Sequence, residues 1–207
     1  MPRRRQPGFT LIEIMIALGI AAMLMALGLP AFKDFLANSK IRNAAENLQS
    51  FLNQARSEAI NRNQPVQFLL FADTDYDASQ VALATANTTG PNVLIRVLNP
   101  TSGAYTHVDW KNGYEGSGSA SAAPATTVTA TYQPMALGGV ADTITFKGLG
   151  GTLLGGQAIF DIANTGAGAC HTTGTPSPIR CLRVTVSVSG QIRMCDPSVA
   201  AGDPRAC

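Results

Sequence analysis

Charge is scarce in this chain, and so are the side chains on which most enzyme chemistry depends. Only 14% of its 207 residues are Asp, Glu, Lys or Arg, and there are two histidines, His107 and His171. Neither stands in a recognisable Ser/His/Asp or Cys/His setting, so nucleophilic catalysis of that kind has no footing. No glycine-rich loop opens a helix to cradle a phosphate. Residues 73–77, DTDYD, begin like a calcium loop, but Ala78 stands where Gly is needed and Ala84 where Glu is needed. A turn with solvated carboxylates is the better reading. His171 lies beside Cys170, yet the spacing fits no usual Cys/His zinc site. The expectation is a protein that is not an enzyme, with no cofactor and no metal.

Charge is missing altogether from Ile14 to Phe32, a run of 19 residues. About 20 apolar residues cross a bilayer as a helix. A length of 207 residues suits one ordinary domain, or one domain plus an appendage, and 45% hydrophobic residues is enough apolar material for a core. A secretory signal peptide would also have a basic front, here Arg3, Arg4 and Arg5. The apolar stretch is too long for a usual signal, though, and no small-residue cleavage site follows it. The small residue, Gly8, comes before it.

MPRRRQPG followed by FTLIEIMIALGIAAMLMALGLP resembles the prepilin signal of type IV pilins and type II secretion pseudopilins. The resemblance implies cleavage between Gly8 and Phe9 by a prepilin peptidase, with N-methylation of Phe9. Arg3 to Arg5 would stay cytoplasmic, as the positive-inside rule requires. It also gives Glu13 a role. A carboxylate in hydrocarbon costs several kcal/mol unless paired. In the family, the equivalent acid meets the N-terminal amine of a neighbouring subunit, so that only the correct stagger neutralises both charges. The alternative places Glu13 at the headgroup level.

Beyond Phe32 the pattern turns amphipathic. Phe35, Leu36, Ala44, Ala45, Leu48, Phe51, Leu52, Ala55 and Ala59 recur at helical spacing, with charges mostly on other faces. A helix from Phe9 to about Arg62 would run roughly 80 Å, ended by Asn61, Asn63 and Pro65. Pro30 lacks an N–H and should kink or loosen the turn around Ala26. The resemblance adds that such a stretch can melt on leaving the bilayer, and Pro30 with Glu13 forms the expected assembly set.

After Pro65 the chain reads as strands: residues 66–72, 93–99, 106–110, 127–133, 143–148, 157–163 and 180–189, with Ser189-Gly190-Gln191 turning into 192–195. GSGSASAAPA at 116–125 reads as a flexible surface loop, and GLGGTLLGG at 148–156 as bulges or turns. Cysteines fall in two close pairs, Cys170 with Cys181 and Cys195 with Cys207. Four cysteines allow three connectivities, and sequence does not choose among them; nearest-neighbour pairing is the expectation. A compartment outside the inner membrane is oxidising, and each bridge would contribute roughly 3 kcal/mol.

The expected fold is therefore α+β and pilin-like: a long N-terminal helix, transmembrane in its first half and amphipathic in its second, packed on an antiparallel β-sheet head. The parts are a leader (1–8), a transmembrane assembly helix (9–32), an amphipathic helix (33–63) and a β-rich head with a disulfide-tied tail (64–207). EAINRNQPV at 58–66 and LRVTVSVSGQIRMCDP at 182–197 resemble the FimU/FimT/GspH group of minor pilins and minor pseudopilins. That implies a structural subunit of a type IV pilus that helps prime assembly and sits near the tip. Its partners would be other major and minor pilins, a prepilin peptidase and the bacterial inner membrane, with the head periplasmic or extracellular. A minor pseudopilin of type II secretion is one alternative, and a DNA-binding minor pilin for natural transformation is another. The DNA reading draws on Arg180, Arg183, Gly190, Arg193 and Arg205. Binders of that type carry Gly-Arg-x-Arg at the hairpin turn, whereas this chain has Gly190-Gln191-Ile192-Arg193. Removing the leader's three arginines also leaves 12 basic against 13 acidic side chains, a weak balance for a phosphate binder.

Overall fold

A computed structural model describes residues 10–71, 77–84, 86, 92–111, 128–133, 143–164, 166–172 and 174–207. The leader, the Gly8–Phe9 junction, residues 73–76 and the 116–125 loop lie outside the described residues. The chain divides into two compact units, the part up to Leu36 and Ala37–Cys207.

Helix α1 spans Leu11–Arg62. Among the described residues no single helix is long and apolar enough to cross a membrane. Leu11–Ala26 and Ala31–Arg62 meet that test of length and composition together, across a bent break. The break falls where Pro30 removes an N–H from the ladder. At its far end α1 stops for a local reason. Asn63 has φ 51°, the left-handed conformation that asparagine tolerates. The Asn63 N–H then donates to the Ile60 carbonyl and the Gln64 N–H to the Ala59 carbonyl, each at 3.3 Å. This is the Schellman closure, and Pro65 prevents any further turn.

Among the described residues eight strands follow: β1 Val66–Phe71, β2 Asn92–Leu98, β3 Tyr105–Lys111, β4 Val128–Gln133, β5 Thr143–Phe146, β6 Ala158–Asn164, β7 Leu182–Val186 and β8 Ile192–Cys195. Each overlaps a run expected from its β-branched and aromatic content. They form two antiparallel sheets rather than one, in the orders β3-β2-β1-β5 and β4-β6-β7-β8. The chain crosses between sheets three times, from β3 to β4, from β4 to β5 and from β5 to β6, because β5 returns to β1 while β4 pairs β6. Val108 is the extra residue in a bulge where β2 pairs β3, which locally increases twist.

Within Ala37–Cys207, α1 lays one stripe on both sheets. Ala37, Ile41, Ala44, Ala45, Leu48, Leu52, Ala55 and Ala59 are buried, at spacings of three and four. Phe35 and Leu36, expected on that stripe, are instead 67% and 44% exposed; Ala37 and Ile41 begin the stripe, since they fall in phase with Ala44 and Leu48. Alternate residues of the strands meet it: Phe68, Ile95, Phe146, Phe160 and Val184 among them. Phe68 and Phe160 touch edge to face at 5.9 Å between ring centres, joining the two sheets. Each fully buried aromatic of this kind contributes about 1.5–3 kcal/mol. Strands β1 and β2 are buried on both faces, since Leu69, Phe71 and Leu94 pack under Val81 and Ala84 on the far side. Their unbroken apolar runs, VQFLLF and NVLIRVL, reflect this.

Candidate functional site

Two regions carry chemistry, and the first is the start of α1. Thr10 caps the helix. The Glu13 N–H donates to Thr10 Oγ1 at 3.3 Å, and the Thr10 N–H donates back to Glu13 Oε2 at 3.3 Å. Thr-x-x-Glu is the reciprocal capping box, which satisfies donors that the helix itself leaves unmet. The spacing alone signals it, yet the reading of Glu13 as an assembly group passes over it. From Leu11 to Leu36 the described large apolar side chains are between 44% and 79% exposed. Such a surface needs lipid or neighbouring protein to cover it.

The second region is the C-terminal part of the head, where the expected cysteines and arginines gather. Disulfides join Cys170 to Cys181 and Cys195 to Cys207. The loop inside the first bridge folds on His171, whose Nδ1 accepts the Ser177 N–H at 3.1 Å. The second bridge closes the tail onto β8: the Asp196 N–H donates to the Arg205 carbonyl at 2.7 Å. Asp196 is buried, and its Oδ1 accepts from the Ser198 N–H at 2.8 Å and the Ser198 hydroxyl at 2.5 Å.

Each of the four arginines has a local partner. Arg183 on β7 grips Asp161, its cross-strand neighbour on β6, with two bonds of 2.7 and 3.2 Å. Arg205 holds Asp203 in the same forked way, at 3.1 and 2.8 Å. That fork, helped by the Arg205 backbone N–H, lowers the Asp203 carboxyl to about 2 and raises the Arg205 guanidinium above its ordinary value. Arg193 donates to the Pro204 and Ala206 carbonyls at 3.2 and 3.1 Å, fastening the tail. Arg180 lies 3.6 Å from Asp196.

Gly190 does not reach toward solvent chemistry at all. It sits at φ +80° at the end of the β7–β8 turn, its N–H on the Ser187 carbonyl at 2.9 Å. The turn occupies 188–190, one residue earlier than expected, with glycine in the left-handed bulge position. A Cβ on Gly190 would strike the Gly150 carbonyl oxygen, which also accepts Arg56 Nε at 3.0 Å. The loop after β5 is thus pressed against the β7–β8 turn.

Between α1 and the closed tail lies a cleft of about 380 Å³. Asn38 and Arg42 line it from α1, Leu182 and Met194 from the sheet, and Pro204 and Arg205 from the tail, with Arg180 and Asp196 beside them. Asn38 sets its edge in both directions: Nδ2 donates to the Pro178 carbonyl at 2.9 Å, and Oδ1 accepts the Arg180 N–H at 2.8 Å. Arg42 is exposed and without a hydrogen-bond or ion-pair partner among the described residues.

Buried Arg96, on β2, was not legible as a functional position. Its Nε donates to Gln67 Oε1 and its Nη1 to the Val81 carbonyl, both at 2.9 Å, and it lies 3.8 Å over the Tyr105 ring. Its work is to hold the segment around Val81 on the sheet.

A long N-terminal helix packed on antiparallel sheets, with an apolar first part left uncovered, is a pilin-like fold. The chain belongs to the GspH family, the group of minor pilins and minor pseudopilins: the family profile "Type II transport protein GspH" matches residues 44–190. The profile "Prokaryotic N-terminal methylation motif" matches residues 3–29. The crystal structure of the type IV minor pilin FimU from Pseudomonas aeruginosa is similar in fold. It is 22% identical, with a TM-score of 0.50, over 81% of this chain and 97% of that one. The minor pseudopilin EpsH from the type 2 secretion system of Vibrio cholerae is 16% identical over 77% of this chain and 99% of its own, with a TM-score of 0.45. A fimbrial protein of Pseudomonas aeruginosa is 28% identical over 114 residues, which is 49% of this chain and 73% of that protein. The proteins matched are structural pilins and pseudopilins rather than enzymes.

Proposed function

We propose that this chain is a minor type IV pilin, anchored in the inner membrane before assembly, that helps prime a pilus and sits near its tip. A prepilin peptidase cuts between Gly8 and Phe9, and Phe9 is N-methylated. The assembly helix, 9–32, then packs among the helices of other major and minor pilins, while the head faces the periplasm or the exterior.

The observation that carries this reading is the exposure of the described aliphatic side chains from Leu11 to Phe32, a stretch in which Glu13 is the one carboxylate. Glu13 already accepts the Thr10 N–H, so the helix start is satisfied within one subunit. Its second oxygen remains for a neighbour's amine, which makes the acid a marker of stagger between subunits. Glu13→Gln keeps the capping bond and removes the charge. Expected is normal processing and membrane insertion with loss from sheared filaments. Glu13→Gln incorporated at the wild-type level would remove the assembly role.

The family profile's description as a type II transport protein favours a second reading, a minor pseudopilin of a secretion system. Deleting the gene separates the two: loss of surface pili with secretion intact supports the first, and the reverse supports the second. The DNA-uptake reading has less behind it, because Arg183 and Arg205 are neutralised by Asp161 and Asp203, and Arg193 is spent on the tail.

A further inference from the structure

The cleft beside the closed tail has a composition that neither membrane anchoring nor helix packing uses. Leu182 and Met194 form an apolar floor, and both pack on the core. Pro204 and Arg205 form one wall, and they lie inside the ring closed by Cys195–Cys207. Arg42 stands at the mouth on the opposite side. Among the described residues, the carboxylates paired with the guanidinium groups of Arg42, Arg180 and Arg205 are Asp196, with Arg180, and Asp203, with Arg205. Asp203 is consumed by Arg205, and Asp196 is divided between Ser198 and Arg180. The excess positive charge therefore resides at Arg42.

We infer that this cleft docks an acidic, apolar-spaced peptide segment of another protein. A carboxylate of that segment pairs with Arg42 and Arg180 at the mouth, while the adjoining aliphatic side chain rests on Leu182 and Met194. Charge complementarity selects the occupant. A planar guanidinium without a partner, next to a second one only loosely held, suits a carboxylate in forked geometry. The apolar floor has no use for a sugar-phosphate backbone, which needs a row of free cations tracking a surface. A cleft of about 380 Å³ takes two or three side chains, the scale of a peptide anchor. Because the wall belongs to the disulfide ring, the site exists only in the oxidised chain. This inference concerns the head alone and does not rest on the filament reading.

The test uses the full chain in uncharged detergent micelles. Fluorescence anisotropy follows a labelled acetyl-Glu-Leu-Glu-Leu-amide, its Lys-Leu-Lys-Leu counterpart and a labelled DNA duplex. The acidic peptide is expected to bind and the basic one not to bind. Arg42→Glu should weaken the acidic peptide by at least about tenfold, with unchanged circular dichroism because Arg42 supports no other residue. Lys147→Glu, exposed and outside the cleft, should leave binding as it was. Cys207→Ser should weaken it by freeing the wall. Equal binding of both peptides, no binding of either, or insensitivity to Arg42→Glu would overturn the inference. Duplex binding that Arg42→Glu abolishes, with no peptide binding, would overturn it in favour of nucleic acid.

Discussion

Gly190→Ala is the substitution on which the architecture of the head bears most directly. Two separate penalties meet there. At φ +80° a side chain costs about 1–2 kcal/mol from backbone strain alone. The new methyl would also occupy the place of the Gly150 carbonyl oxygen, so the β7–β8 turn and the loop after β5 must part. That movement breaks what holds them together. The Thr152 N–H and hydroxyl both donate to the Val188 carbonyl, at 2.9 and 3.2 Å, and Arg56 donates to Gly150 at 3.0 Å. Such bonds contribute about 1 kcal/mol each net. The expected loss is about 4–5 kcal/mol, against about 1–2 kcal/mol for Gly168→Ala. Gly168 has φ +109°, but a Cβ there meets nothing within 4 Å. The chain's single tryptophan, Trp110 on β3, reports unfolding of the head by its fluorescence in urea, with the anchor held in nonionic micelles. If Gly190→Ala falls within about 0.5 kcal/mol of Gly168→Ala, the close approach of the two loops is not a constraint and the reasoning fails.

Arg96→Met should lower head stability by about 2–3 kcal/mol in the same unfolding measurement. It strips the Val81 carbonyl and Gln67 of their buried donor, so faster proteolytic cleavage near Ala84 should accompany it. Replacing both Cys195 and Cys207 by Ser opens a ring with a sequence separation of 12; about 3 kcal/mol of stability should be lost, read as a lower urea midpoint. Asp203 titrates at about 2 because Arg205 holds its charged form. A carboxyl depressed in the folded state stabilises fully above its unfolded value of about 3.9 and loses that contribution as pH falls through about 2. A carbon-detected NMR titration of Asp203 should show that midpoint, and Arg205→Gln should return it toward the ordinary range.

Much of the fold was open to inspection in the linear chain, because its causes are local. Strand β6 alternates buried and half-buried side chains through AIFDIAN, the period that a pleated ribbon imposes. The end of α1 is announced by Asn63 and Pro65, and both act within one turn. The division into two sheets was not open in the same way. Whether β5 joins β1 or β4 depends on pairing Val66 with Phe146, and nothing near either residue encodes that choice. The arginines show the same limit. Arg183 reads as a free cation until Asp161, 22 residues away, is placed opposite it. Phe35 looked like a core residue because it is aromatic and in rhythm, but the stripe that packs is made largely of alanine and begins at Ala37. Small side chains let a helix approach two sheets closely, and burial there follows proximity more than hydrophobicity. Thr10 and Glu13 are the reverse case, a spacing with a purely local meaning.

Asn38 joins α1 to the Pro178–Arg180 segment through an amide that gives with one end and receives with the other. An aspartate has the same outline but no hydrogens to give. Exchange of that single amide for a carboxylate would leave two oxygens confronting each other where the Pro178 carbonyl now finds its donor. The junction would be undone by one atom, with the outline of the side chain kept.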